Sequence, residues 1–275
     1  MLGAGLLFSG QFPVLSETPA ARLPAIGLIP SVIEDELKRD WKATLRQVAE
    51  IGYTYLEYGR YFGDSPVAFK KFMKEIKLRS LAGGGGMKEM IKEDALKKMI
   101  DNALELEKKY LICYWPWMDN GNNKKLDDFK QAAENLNKIG EQCHKGGIRF
   151  AFHNHDKEFV PVEGYDWGYE VIMKQTDPRQ VAMLLDLYWI TKGGADPIRF
   201  LDQYPGRFDL FHVKDMDNTP QRLYTCPGSG IIDFPAIFAH AKKAGVRYYT
   251  VEVDKHDNGM KCVQDSYTYL KNLRF

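Results

Sequence analysis

Three segments of the chain share one design. AEIGYTYLE (49–57), HKGGIRFAF (144–152) and KAGVRYYTVE (243–252) each close a helical stretch on glycine and run straight into a β-branched or aromatic strand. The alternation continues between them. Strands read at Ala25–Ile29, Tyr53–Tyr58, Leu81–Gly83, Tyr110–Trp115, Ile148–His155, Val181–Asp186, Phe208–Lys214 and Tyr248–Val253. Helical periodicity fills the intervals, as in Phe129, Ala132, Ala133, Leu136, Ile139 and Cys143, or in Phe234, Ile237, Phe238 and Ala241 behind a capping Asp233. Strict alternation predicts a parallel sheet with helical crossovers. Eight such units in about 250 residues fit a (β/α)8 TIM barrel. An open doubly wound sheet is the alternative. It is weakened because no glycine-rich phosphate loop follows the first strand, and neither Gly83–Gly86 nor Gly228-x-Gly230 forms a GxGxxG fingerprint.

Residues 24–275 read as this one barrel domain. Residues 1–23 read either as an arm packed on it or as the remnant of a secretory leader, since the apolar run Leu2–Phe8 is followed by small and polar residues but lacks a basic start. Exported and cytoplasmic locations both stay open. Lys+Arg is 38 and Asp+Glu 37, a net charge of +1 that gives no basic surplus for a nucleic-acid partner. No apolar run approaches the ~20 residues of a membrane span. Cys113, Cys143, Cys226 and Cys262 form no CxxC pair, which argues against a cysteine zinc site, and four are too few for a disulfide scaffold at this length.

In a barrel the active site lies at the C-terminal strand ends, and side chains alternate inward and outward. Polar residues in matching inward phase at those ends are therefore candidates. In IRFAFHNHD, Ala151, His153 and His155 face inward. In VAMLLDLYW, Asp186 ends an apolar run. In FDLFHVKD, Phe208, Leu210, His212 and Lys214 share a face, as do Tyr248, Thr250, Glu252 and Asp254 in YYTVEVD. His153, Asp186, His212 and Glu252 thus converge at one mouth, a donor set suited to one divalent ion such as Mn, Zn, Co, Fe or Mg. Lys214 faces the same site as an electrostatic stabiliser or base, His155 is an acid–base candidate or a ligand in place of His153, and Glu252 is a further acid–base candidate. Glu57 ends the second strand in phase with Tyr53 and Tyr55. Glu57 and Glu158 are candidates for binding substrate hydroxyls, and Trp115, Trp117 and Trp189 for apolar walls.

The segments AEIGYTYLEYG, GEQCHKGGIRFAFHNHDKEF, LLDLYW, LFHVKDMD, GSGIIDF and VEVD resemble the xylose-isomerase-like TIM-barrel superfamily, within its sugar phosphate isomerase/epimerase group. The resemblance implies one divalent metal held from strands five to eight, with Asp186, His212 and Glu252 on ligand positions. It also implies a small carbohydrate substrate. His153 stands where the epimerases usually have Glu, so their two-glutamate proton relay is not reproduced. Trp189 replaces a substrate-binding His of several epimerases. The His-Asn-His-Asp subgroup resembles enzymes of inositol and oxidised-sugar metabolism, some of them dehydratases or lyases. The superfamily also holds a DNA-repair endonuclease with a His-rich trinuclear zinc cluster. This chain has six His, and His144, His240 and His256 lie on helix or loop stretches, so DNA cleavage is not expected. The expectation is a metal-dependent sugar isomerase or epimerase working through an enediolate. A dehydratase or lyase and a non-catalytic sugar-binding barrel are the alternatives, and a homo-oligomer is left open.

Overall fold

The computed structural model describes residues 21–119 and 124–275. Eight parallel strands close into a barrel: β1 (Gly27–Leu28), β2 (Tyr55–Glu57), β3 (Arg79–Gly86), β4 (Tyr110–Trp115), β5 (Arg149–His153), β6 (Val181–Asp186), β7 (Phe208–Val213) and β8 (Tyr248–Val251). Each strand neighbours the next in sequence, and β1 pairs with both β2 and β8. Helices α1 (Glu34–Ile51), α2 (Pro66–Glu75), α3 (Glu93–Glu105), α4 (Leu126–Lys145), α5 (Gly168–Gln175), α6 (Pro197–Gln203), α7 (Phe234–Ala244) and α8 (Gly259–Asn272) carry the crossovers. The expected barrel is therefore the observed one. The arm or leader expected over residues 1–23 lies outside the described residues except for its last three, of which Ala21 exchanges backbone hydrogen bonds with Phe275. No helix among the described residues is long and apolar enough to cross a membrane.

Period-two alternation divides the strand residues between two cores. Phe150, Phe152, Val181, Met183, Leu185, Tyr249 and Val251 pack outward against the helices. Tyr55, Ala82, Ile112, Ala151, Ala182, Leu184 and Leu210 fill the barrel lumen. Tyr55 is a large plug in that lumen. Its hydroxyl donates to the Tyr249 carbonyl at 2.9 Å and accepts the Tyr249 N–H at 2.7 Å. Gly27 faces that ring, where a Cβ would lie 1.9 Å from it, so β1 needs glycine there. The lumen floor is polar: Asp209 accepts from Tyr110, Arg149 and Arg247.

Four expectations change. Phe208 does not share the inward face of β7. A bulge opposite Met183 and Leu184 skips Asp209 and turns Phe208 outward. Tyr53 precedes β2 and also points outward, its hydroxyl bonded to the Val263 carbonyl. The third strand, read at Leu81–Gly83, runs eight residues, because its glycines pair with β4 along their whole length. Cys226 and Cys262 form a disulfide across 36 residues, a pairing their sequence spacing did not signal, while Cys113 and Cys143 are buried free thiols.

That bridge ties the segment after β7, which folds as a two-stranded hairpin (Asp215–Met216 with Tyr224–Thr225), to α8. Cys262→Ser should lower the unfolding free energy by about 2–4 kcal/mol, the usual effect of opening such a loop. Urea unfolding of the oxidised variant and wild type measures it, and equal midpoints would show that the bridge adds nothing.

Candidate metal centre

The lumen residues lead to the site by simple succession. Two positions beyond Ala151, Leu184, Leu210, Thr250 and Tyr55, the inward phase reaches His153, Asp186, His212, Glu252 and Glu57. One ligand atom from each of His153, Asp186, His212 and Glu252 lies within 4.8 Å of the others. His153 Nε2 is 3.5 Å from Asp186 Oδ2 and 3.9 Å from Glu252 Oε2. His212 Nδ1 is 2.7 Å from Glu252 Oε2 and 3.9 Å from Asp186 Oδ2. These four atoms are buried and make no aligned hydrogen bond. Buried polar atoms that lack well-aligned hydrogen bonds are unfavourable, and these all lie close to one another. Two imidazole nitrogens and two carboxylate oxygens around a common centre fit a divalent cation.

Neighbouring groups hold the donors in place. Asp186 Oδ1 accepts the Trp189 N–H at 2.8 Å and caps the short helix Leu187–Lys192, which leaves Oδ2 to the cluster. Asn154, fully buried between the two histidines at the end of β5, accepts the Asp186 N–H at 2.9 Å and so aligns the ends of β5 and β6. Glu57 Oε1 stands 3.0 Å from His212 Nε2 and accepts the Tyr114 hydroxyl at 2.7 Å. A carboxylate on the far nitrogen orients an imidazole for metal and raises its basicity. Glu57 therefore acts on His212, where a substrate contact was expected.

The electrostatics follow from burial and these contacts. Burial, reinforced by His212, lowers the His153 pKa to about 3, so the ring is neutral. Burial raises Asp186 well above the usual carboxylate range, against the pull of Lys214. His212 is raised to about 10: burial opposes its charge, but Glu57 and Glu252 outweigh it. Lys214 is also raised: burial would lower it, but Glu252, Asp186 and Asp254 prevail. Its Nζ lies 3.3 Å from Glu252 Oε1 and 2.7 Å from Asp254 Oδ2, enclosed by the rings of Tyr188, Trp189 and Tyr224.

His155 sits at the rim with its ring 5.3 Å from Trp115 and 5.2 Å from Trp189, and its Nδ1 has no hydrogen-bond partner. Burial, then the neighbouring His153, lowers its pKa to about 2, so this ring too is neutral. Glu158 is placed differently from its expected role as a binder of substrate hydroxyls. It is fully buried, accepting the His155 N–H at 2.5 Å and the Trp117 Nε1–H at 2.9 Å, so both oxygens serve the loop. Trp117 is buried with it instead of lining the mouth. Sequence reasoning missed Asn154, Tyr114 and Asp215. Asp215 accepts four backbone N–H groups, from Met216, Gly228, Gly230 and Ile232, and so shapes the Gly228-Ser229-Gly230 turn. The one local signal was its place directly after Lys214.

Residues 45–273 match the family model of the xylose isomerase-like TIM barrel, and the chain belongs to that family. An inosose dehydratase from Geobacillus kaustophilus is 24% identical over 261 residues, covering 82% of this chain and 83% of that protein. A sugar phosphate isomerase/epimerase from Parabacteroides distasonis superimposes with a TM-score of 0.75 at 27% identity, covering 93% of this chain and 95% of that one. A solved structure of IOLI protein with a bound zinc atom has a TM-score of 0.71 at 16% identity, covering 89% and 96%.

Asp186→Ala and His212→Ala should each abolish stoichiometric metal with the fold retained, measured by elemental analysis beside circular dichroism. Glu57→Gln should keep the fold and weaken metal affinity about 10–100-fold. Full metal content in either alanine variant would remove that residue from the ligand set.

Proposed function

We propose that the protein is a divalent-metal-dependent isomerase or epimerase that removes a proton from the carbon beside a carbonyl in a sugar or sugar-like polyol. The observation that carries this reading is the convergence of four buried metal-ligating atoms at the barrel mouth, beside a fixed ammonium and an imidazole with a free nitrogen. A divalent ion in such a site supplies Lewis-acid polarisation of a carbonyl.

The remaining chemistry belongs to side chains. His155 takes the carbon-bound proton at Nδ1 and returns it. Glu252 is a poorer base, because Lys214 engages Oε1 and the cluster engages Oε2. Lys214 keeps its proton between two carboxylates and stabilises the negative charge that develops on the enediolate oxygen. Trp115 and Trp189 offer apolar faces to the C–H surfaces of the substrate on either side of His155.

The likeness to an inosose dehydratase over most of both chains favours a second reading. Proton removal is the same, but a β-hydroxyl then leaves as water. A non-catalytic sugar-binding barrel would have no use for the inward donor set.

Solvent-deuterium exchange, run with added metal over ketoses, inososes and 3-keto-sugars, tests the shared first step. Product analysis then separates an isomer or epimer from a dehydrated product. His155→Ala should keep metal and slow exchange about 10²–10⁴-fold, whereas His153→Ala should weaken metal binding. Lys214→Met should slow exchange at least about 10²-fold with a smaller change in KM. The reverse pattern at His153 and His155 would exchange their roles, and no exchange with any of these compounds would overturn the reading.

A further inference from the structure

The barrel wall holds a second recess, away from the mouth. β3 ends in four consecutive glycines, Gly83–Gly86. Gly83 and Gly85 send no side chain toward α3, and a cavity of about 770 Å³ opens there, bounded by Gly83, Glu89, Met99, Asn102 and Leu111. Lys108, in the turn after α3, also lines it. A Cβ on Gly83 would lie 2.8 Å from Lys108 Nζ and 3.1 Å from the Tyr58 carbonyl oxygen, so the amine occupies the space that a side chain would take.

Lys108 is 8% exposed, and among the described residues its amine has no hydrogen bond or ion pair. An ammonium that deep without a counter-charge is unfavourable. Burial lowers its pKa to about 8, and Glu57, across the wall, only partly opposes this. The rim carries three carboxylates, Glu89, Glu93 and Asp94, and two ammonium groups, Lys92 and Lys98, and Lys108 supplies the cation at the floor. The volume falls within the range of small-molecule sites.

We propose that this recess binds a small metabolite through its carboxylate or phosphate group, with Lys108 as the charge partner. The glycines of β3 let the ligand approach the strand backbone.

Calorimetric titration of the full-length protein with inorganic phosphate and, separately, with acetate tests this. Saturable binding of one or both is expected, and the stronger arm identifies the group recognised. Lys108→Met should weaken that binding at least about tenfold, as for loss of a charge-assisted hydrogen bond. Gly83→Ala keeps the charge but fills the space beside Nζ, and should weaken binding as well, which covers the case in which Lys108→Met fails to fold. His212→Ala, altered only at the mouth, should bind as wild type does. Unchanged binding in both Lys108→Met and Gly83→Ala, no saturable binding of either anion, or loss of binding in His212→Ala would overturn the proposal.

Discussion

Two carboxylates and two imidazoles held out of water at one point govern the mouth of this barrel. Asp186 and His212 are fully buried, His153 nearly so, and Glu252 is only slightly open. Such a group is tolerable only when opposite charge and fixed geometry compensate for lost hydration. The surrounding residues supply both. Glu57 and Glu252 flank His212, Lys214 answers Glu252 and Asp254, and the Asp186 carboxylate is also held by a helix N-terminus.

The supports come from different strands, which gives the site its rigidity. Asn154 joins the ends of β5 and β6, Tyr114 from β4 reaches Glu57 on β2, and Tyr55 in the lumen holds β8. Asp215 gathers the glycine turn behind Lys214, and the Cys226–Cys262 bridge anchors the same segment to α8. The aromatic cage of Lys214 draws Tyr224 from this tied hairpin and Tyr188 and Trp189 from the short helix after β6. The position of one cation therefore depends on three separate parts of the chain.

Much of this architecture is legible in the sequence, because strand alternation and helix stops are local properties. The glycine stops at Gly52 and Gly245, the apolar run Val181–Leu185 and the alternating segment Phe208–Val213 set the element order. Period two alone put His153, Asp186, His212 and Glu252 on the lumen side. It failed at Phe208, where a bulge shifts the register, and at Tyr53, which lies outside its strand. A bulge depends on how two strands pair, and a single strand's residue pattern does not contain that.

The sequence by itself determined the barrel, the phase of the four donor residues and the balance of charge, since each follows from short-range pattern or composition. The tertiary structure decided which atoms face the candidate metal centre, that Glu158 and Trp117 are buried together, that Glu57 orients His212, and that Cys226 meets Cys262. Those outcomes depend on contacts between residues far apart in the chain, such as the 155 positions separating Glu57 from His212. Only closure of the barrel brings such residues within hydrogen-bonding distance.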